Sequence, residues 1–292
     1  MNRIKGILYA AVSSSTFGLA PFFSITLLLA GFSAFEVLSY RWGVAAIVLT
    51  LFGWCSGCNF RLAKKDLLVV FLLSLLRATT SFSLLIAYQN IATGVASTIH
   101  FMYPLAVALA MMFFFREKKS LLVILAVLMS LLGAALLSLG ELEAKSGNTM
   151  VGLVAACVSV FSYAGYIVGV RTTRAVQINS TALTCYVMGL GTIFYLIGAY
   201  CTSGLQLVSD GYTWLIILGL ALPATAISNI TLVQAIKYAG PTLTSILGAM
   251  EPLTAVVIGV FVFKELFTVN SAVGIILILL AVSIVVFRRQ KS

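Results

Sequence analysis

Several side chains that can bind a charged group or exchange a proton fall within apolar stretches of the sequence. The candidates among them for binding a substrate or coupling its transport are Arg77, His100, Tyr103 and Glu251. Ionisable groups are costly in the interior of a membrane and are retained there mainly for function. Each of the four is therefore a candidate for binding a ligand or for transferring a proton.

Arg77 and Glu251 each leave alternatives open. The guanidinium of Arg77 either binds a carboxylate of a ligand through two parallel hydrogen bonds, or pairs with Glu251, or lies in a helix whose register brings it to the lipid headgroups. The carboxyl of Glu251 either exchanges a proton or binds a cationic group of a ligand. Alternatively it is structural, and accepts hydrogen bonds from backbone groups that Pro252 leaves free.

The remaining candidates are less specific. His100 is either a proton-sensitive group near neutral pH or a neutral hydrogen-bonding residue of the core. Tyr103 lies one helical turn further on, at the position that corresponds to Glu251 in an internal repeat. Arg41 lies roughly seven residues from the outer end of its predicted helix, so we expect its long side chain to reach the membrane interface.

The internal repeat has an offset of 148 residues. The sequence AYQNIATGVASTIHFMYP (87–104) corresponds to AIKYAGPTLTSILGAMEP (235–252). Each copy carries a proline, Pro104 or Pro252, inside an apolar segment, where the ring interrupts helical hydrogen bonding. We therefore predict a helix break, and a candidate gating point, at both prolines.

The composition indicates a chain that lies within a membrane. Of its 292 residues, 61% are hydrophobic and 9% are charged, and the mean hydropathy is +1.12. A soluble domain has about 25% charged residues. Because a helix needs about 20 apolar residues to cross the hydrocarbon core, the sequence predicts ten spans, at 5–30, 34–54, 66–91, 93–115, 119–139, 148–170, 178–201, 211–236, 240–263 and 269–287.

The net charge of +10 indicates membrane topology and not nucleic-acid binding. With the N-terminus in the cytoplasm, most of the 18 basic residues fall in loops and tails on the cytoplasmic side, as Lys and Arg of short loops do. We therefore predict that both termini are cytoplasmic and that the basic loops contact lipid headgroups. No nucleic-acid partner is expected.

The ten predicted spans divide into two units of five, residues 1–141 and 147–292, with an acidic loop around Glu141 and Glu143 between them. Because five is odd, the second unit enters the membrane from the side opposite to the first, so the units are inverted. Inverted units enclose a site near the midplane and expose it to each side in turn. The predicted fold class is an all-α integral membrane protein with ten transmembrane helices in two inverted five-helix repeats.

These features resemble the drug/metabolite transporter superfamily, and specifically its EamA-type members. The similarity lies in the run AIKYAGPTLTSILGAMEP, which ends in Glu-Pro, and in the later pair Lys264-Glu265; the first half has a weaker copy, with Tyr103-Pro104 in place of Glu-Pro. The resemblance covers essentially the whole chain. It implies a ten-helix carrier of the bacterial inner (cytoplasmic) membrane, with a central cavity between its halves and a substrate among amino acids, nucleobases, sugars and drugs.

The motifs of other function classes are absent from the sequence. There is no G-x-x-x-x-G-K-[ST] loop for ATP, no H-E-x-x-H and no G-x-S-x-G. We expect a secondary active or facilitative transporter, not an enzyme, that exports small amphipathic metabolites such as amino acids. Arg77 would bind the carboxylate, and Glu251 or aromatic rings the ammonium. The alternative is efflux of drugs or other cationic compounds, and an intramembrane enzyme is less favoured.

Neither a cofactor nor a metal is expected. Cys55 and Cys58 have C-x-x-C spacing, but structural zinc needs four ligands and the chain has a single histidine. The expected partners are a small-molecule substrate and the lipid bilayer. Proton coupling, the direction of transport, and a monomeric or dimeric state remain open at the level of sequence.

Overall fold

The structure, a computed structural model, describes residues 2–117, 121–138, 147–202, 204–254 and 268–288. These residues form helices and connecting turns, without strands in the described ranges. The predicted acidic loop at Glu141 and Glu143, and the Lys264-Glu265 pair, lie outside them.

The chain before the acidic loop forms α1 (Asn2–Phe17), α2 (Ala20–Leu29), α3 (Ala34–Cys55), α4 (Lys64–Asn90), α5 (Thr93–His100), α6 (Tyr103–Phe113) and α7 (Leu121–Ser138). The chain after it forms α8 (Thr149–Thr172), a 3-10 turn (Arg174–Gln177), α9 (Ser180–Cys201), α10 (Gly211–Ala221), a π-helical turn (Leu222–Ile227), α11 (Ser228–Ala239), α12 (Pro241–Leu247) and α13 (Val269–Arg288). Residues 250–254 are also helical.

Within the described residues, seven helices are long and apolar enough to cross a membrane: Ile4–Leu29, Ala34–Cys55, Lys64–Asn90, Val95–Phe113, Thr149–Thr172, Ser180–Cys201 and Gly211–Ala239. Two shorter apolar helices, Leu121–Gly133 and Ala272–Ile284, fall in the predicted fifth and tenth segments. The predicted ninth segment, 240–263, continues beyond the described residues. Large apolar side chains such as Leu29 and Phe161 are exposed on the outside of the bundle, as lipid solvation allows.

Four of the five prolines begin a helical segment. Pro21, Pro104, Pro223 and Pro241 each occupy one of the first two positions of a helix or of the π-helical turn. A proline is tolerated there because the first backbone N–H groups of a helix have no partner within it. The prolines therefore divide the long apolar segments into shorter helices and do not merely bend them.

The interruptions predicted in the fourth and ninth segments are both present. The first lies at residues 101–102 and the second at 248–249. They differ by 147 residues, within one residue of the sequence offset. Each break comes two or three residues before its proline, Pro104 or Pro252. The interruptions in the first and eighth segments, by contrast, were not predicted.

The main helix–helix contacts follow a symmetrical pattern. The most extensive ones join α4 to α8, α1 to α11, α7 to α13 and α3 to α9. If each of the first five predicted spans is exchanged with its counterpart five spans later, α1 corresponds to α8 and α11 corresponds to α4. The α1–α11 contact is thereby converted into the α4–α8 contact. The same exchange leaves the other two contacts unchanged. This is the pattern that a two-fold relation between two five-span units produces.

Polar contacts join the two parts of the chain at both ends of the bundle. At one end, Arg174 Nε lies 3.0 Å from Asp66 Oδ1, and Thr242 donates a 2.6 Å hydrogen bond to Glu117. At the same end, the hydroxyl of Tyr186 donates to the carbonyl of Phe60. We name this set the basic-end contacts.

At the opposite end, the backbone N–H of Asn148 donates to the side chain of Asn90 at 3.0 Å. The backbone N–H of Gln206 donates to Glu36 at 2.6 Å, and the Gln206 carbonyl accepts from Tyr40. We name these the acidic-end contacts. Because α4 runs from Asp66 at one end to Asn90 at the other, the two sets lie a full helix length apart.

Glu36 has a double role at the start of α3. Its carboxylate accepts the backbone N–H of Ser33 at 2.8 Å, which completes a capping box, and also the N–H of Gln206. We expect Glu36→Ala to reduce the free energy of unfolding by about 2 kcal/mol, because two backbone donors lose a charged acceptor. Ser33→Ala removes one bond and should cost about half as much. Thermal unfolding in detergent measures both, and equal melting temperatures for the wild type and Glu36→Ala would contradict the assignment.

Candidate functional site

A cavity lies between α2, α3 and α4, beside the break that separates α1 from α2. The empty space among its lining atoms amounts to about 340 Å³ when the open solvent at its mouth is counted. Two cationic side chains, several hydroxyls and a set of apolar groups line it: Phe17, Ala20, Pro21, Ser24, Arg41, Arg77, Thr80, Ser81, Leu84, Leu85 and Tyr88. Its cationic groups make it the candidate site.

Arg77 reaches this cavity from the middle of α4. Its side chain is 1% exposed. Nε donates a 2.9 Å hydrogen bond to Asn229 Oδ1, and Nη1 donates to Ser81 Oγ at 3.3 Å. The guanidinium carbon also lies 5.0 Å from the ring centre of Tyr163 and 5.9 Å from that of Tyr166. The side chain is therefore part of the interior, and the lipid-facing alternative for Arg77 is wrong.

Arg41 lies in the same cavity, and the expectation that it reaches the membrane interface is also wrong. Its side chain is 5% exposed. Nε donates to Thr225 Oγ1 at 2.6 Å, and Nη2 donates to the carbonyl of Ala224 at 3.5 Å. Counting residues from a helix end gives the depth of an arginine but not the face on which it lies. Here α3 directs Arg41 inward against the π-helical turn.

The π-helical turn positions both arginines. Thr225 donates its hydroxyl to the carbonyl of Leu220 at 2.7 Å, so its oxygen is oriented to accept from Arg41. One turn later, Asn229 donates to the carbonyl of Thr225 at 2.7 Å, which leaves its Oδ1 to accept from Arg77. π-helical turns are rare overall but frequent at functional sites. The π-helical turn and the first residues of α11 thus carry the acceptors of both guanidiniums.

A single aromatic ring is shared by the two cations. The guanidinium carbon of Arg41 lies 5.5 Å from the ring centre of Phe17, and that of Arg77 lies 5.3 Å from it. Phe17 is the last residue of α1, so the break before α2 brings it between α3 and α4. A cation over a ring face is stabilised by the ring quadrupole, and this offsets part of the cost of burying the two charges.

Glu251 lies near both arginines without forming an ion pair with them. Its side chain is 9% exposed, and Arg77 and Arg41 are its electrostatic neighbours. Within the described residues Arg174 and Asp66 form an ion pair, whereas no side-chain nitrogen of Arg77 lies within 4.0 Å of a carboxyl oxygen of Glu251. The direct pair that the sequence left open is therefore absent. The carbonyl of Glu251 would lie 2.6 Å from a Cβ at Gly18, so the ninth span packs directly against the break in the first.

His100 and Tyr103 belong to an aromatic cluster that adjoins Arg77. The ring of His100 stacks on Tyr163 with centroids 5.4 Å apart, and Tyr103 meets Tyr163 at 4.6 Å. The hydroxyl of Ser159 donates to the carbonyl of Ala156, so it accepts from Nδ1–H of His100 at 2.8 Å. His100 is 2% exposed. This geometry is that of a hydrogen-bonded core imidazole, the second of the two alternatives.

Two buried polar atoms of this cluster have no partner among the described residues. They are Nε2 of His100 and the hydroxyl of Tyr166. A buried polar atom without a hydrogen bond is costly, so both atoms reduce the stability of this cluster. The sequence pointed to His100, but not to the unsatisfied state that it shares with Tyr166.

Sequence reasoning brought together Arg77, Glu251, His100 and Tyr103, and the structure places all four in one continuous region. It missed the contributions of Arg41, Phe17, Thr225 and Asn229. The sequence signal that could have drawn attention to Thr225 and Asn229 is Pro223, another proline inside a predicted apolar segment.

The cysteines do not add a metal site within the described ranges. Cys55 is exposed and Cys58 is half-buried, and both are free thiols. No group of three or more His, Cys, Asp or Glu side chains among those residues could hold an ion.

Comparison with known proteins identifies the family but not the substrate. No curated protein matches the chain. A solved structure, described only as a crystal structure of a protein, superposes with a TM-score of 0.82 at 17% identity, and the match covers 100% of this chain and 99% of the other. At that identity the likeness shows the fold alone. The model of the EamA-like transporter family matches the sequence twice, at residues 4–139 and 150–287. With nearly its whole length matched in two copies, the chain belongs to the EamA-like transporter family.

Proposed function

We propose that this membrane transporter is a secondary active or facilitative carrier that exports small amphipathic metabolites such as amino acids. The observation that carries the proposal is a cavity lined by the buried side chains of Arg41 and Arg77, which donate to acceptors from the other half of the chain. A carboxylate is the group that a guanidinium binds best, through two parallel hydrogen bonds. The apolar part of the lining suits the rest of an amphipathic molecule.

The proposed mechanism is alternating access. In it, ten spans form two inverted units, 1–141 and 147–292, of which the described helices supply most. The symmetrical helix contacts support a two-fold relation between the units. Inverted units reach inward-open and outward-open forms by exchanging conformations around a fixed site. The polar contacts at both ends supply the surfaces that would part and close in turn. We place the protein in the bacterial cytoplasmic membrane with both termini inside, since the basic loops favour that side.

Efflux of cationic compounds is the second candidate, and the site favours it less. A lipophilic cation would enter a cavity that already holds two buried guanidiniums, and like charges at short range repel strongly in a medium of low dielectric constant. The nearby carboxyl group of Glu251 supplies at most one opposing charge against two. An intramembrane enzyme remains the least favoured class.

Counterflow in proteoliposomes tests the carrier proposal. Vesicles loaded with unlabelled amino acid should accumulate labelled amino acid transiently from outside, because a carrier exchanges substrate across the membrane. A channel gives no such trans-stimulation. The substrates to test first are those that raise the melting temperature of the purified protein, since a ligand that binds the folded state stabilises it. Uptake that follows the concentration gradient alone, unaffected by internal substrate, would contradict the proposal.

A further inference from the structure

The two guanidiniums of the cavity have donors that the protein does not use. Arg41 bonds to the protein through Nε and Nη2, and Arg77 through Nε and Nη1. In the part of the chain that the structure describes, Arg41 Nη1 and Arg77 Nη2 make no hydrogen bond. Both residues line the cavity. Each cation therefore presents one free terminal amino group for a ligand.

The positive charge of the two guanidiniums is not balanced by a carboxylate beside them in the described ranges. Two guanidiniums are buried there, and no carboxylate of the described ranges lies within 4.0 Å of either. Glu251 is their one acidic electrostatic neighbour in those ranges. Buried charges are normally paired, so the site has an excess of positive charge that a ligand can neutralise.

The spacing of the two cations fits a single small ligand. Both guanidinium carbons lie within 5.5 Å of the centre of the Phe17 ring. They cannot be further apart than twice that distance, which a short carbon chain with an acidic group at each end can span. Thr225 of the π-helical turn holds the guanidinium of Arg41, and Asn229 at the start of α11 holds that of Arg77, so neither needs to be ordered when the ligand binds.

We infer that the cavity selects a small organic anion with two carboxylates, one held by Arg41 and the other by Arg77. Acidic amino acids and short dicarboxylates belong to this class. The inference rests on the proposed carrier function and narrows its substrates, since a neutral amino acid would leave one guanidinium unpaired. The ammonium of an acidic amino acid finds the ring faces of the neighbouring tyrosines and the carboxylate of Glu251.

Matched pairs of ligands test the inference on the purified full-length protein. L-Glutamate and L-glutamine have nearly the same shape and differ by one negative charge, as do succinate and succinamate. We expect glutamate or succinate to raise the melting temperature, and its amide partner to bind at least about tenfold more weakly, because one charged hydrogen-bonded pair is lost. Equal binding of acid and amide, or binding of none of the four, would overturn the inference.

Three variants separate the site from general effects of charge. Arg41→Gln and Arg77→Gln should each weaken binding of the preferred acid by about tenfold or more. Arg61→Gln removes an exposed cation in the loop before α4 and should leave binding unchanged. Because a glutamine at position 41 or 77 could harm folding, the melting temperature without ligand is measured in parallel.

A further pair of variants, Thr225→Val and Thr225→Ser, keeps both cations. Only the valine variant, which cannot accept a hydrogen bond from Arg41, should weaken binding. If Arg41→Gln and Arg77→Gln both bind the acid as tightly as the wild type, the inference is wrong.

The result also distinguishes this inference from the proposed function. Counterflow of labelled glutamine with no counterflow of glutamate would leave the carrier proposal intact and overturn the anion site. Binding of glutamate that depends on both arginines, without counterflow of glutamate, would establish the site and overturn the carrier proposal.

Discussion

Replacing Gly248 with alanine should destabilise the protein by about 3 kcal/mol, at the upper end of the usual cost of overpacking. A Cβ at this position would lie 1.7 Å from the hydroxyl oxygen of Tyr103 and 2.8 Å from the carbonyl of Ser245. Tyr103 cannot move away easily, because its ring is packed against His100 and Tyr163. Thermal unfolding in detergent measures the loss.

A second substitution tests the cause of that loss. Tyr103→Phe removes the hydroxyl, after which the nearest atom of this ring is Cζ, 3.0 Å from the added Cβ. The double variant Tyr103→Phe with Gly248→Ala should therefore recover much of the lost stability. Gly189→Ala is the matched control in α9, since its Cβ would have no neighbour within 4 Å. No recovery in the double variant would show that the tyrosine contact does not limit the packing.

Under the alternative in which Glu251 couples transport to a proton, replacing it with glutamine should abolish accumulation of substrate driven by a pH gradient. Glutamine keeps the shape of the side chain but cannot bind or release a proton. The carboxyl is 9% exposed and has two guanidiniums as electrostatic neighbours, so its charge state changes the net charge of the site. The measured quantity is the ratio of uptake into proteoliposomes under an imposed pH difference to counterflow at equal pH. A general loss of transport activity lowers both rates and leaves this ratio unchanged.

Asp210→Asn serves as the control for that experiment. Asp210 is an exposed carboxylate that caps α10, remote from the cavity, and asparagine is also a good capping residue. Its ratio of pH-driven uptake to counterflow should equal that of the wild type. If Glu251→Gln keeps the wild-type ratio, Glu251 is structural, which is the other alternative that the sequence left open.

Sequence periodicity was sufficient to predict the interruptions in the fourth and ninth segments. The repeat of 148 residues aligns Pro104 with Pro252, and the helix breaks precede them at 101–102 and 248–249. This worked because a proline acts locally: its missing N–H and its ring exclude the preceding turn from a regular helix. The all-helical architecture followed from composition for an equally local reason, since a lipid-exposed backbone must satisfy its own hydrogen bonds.

The partners of the buried arginines could not be predicted in the same way. Arg41 and Thr225 are 184 residues apart in sequence, and Arg77 and Asn229 are 152 apart. Their contacts depend on which face each helix turns toward the other half of the chain. They also depend on the extra residue that the π-helical turn inserts, which shifts the face of all following side chains. A hydropathy pattern contains no signal for either. The depth of Arg41 in its helix was correct, and its direction was wrong.

The contacts at the two ends of the bundle have a thermodynamic consequence. The basic-end and acidic-end contacts are individual hydrogen bonds and one ion pair, made where water is close at hand. When such a bond separates, water replaces the lost partner, so each costs only about 1 kcal/mol. In the proposed alternating-access mechanism, the three contacts at either end would therefore oppose its opening by only about 3 kcal/mol in total, which the binding of a substrate can offset.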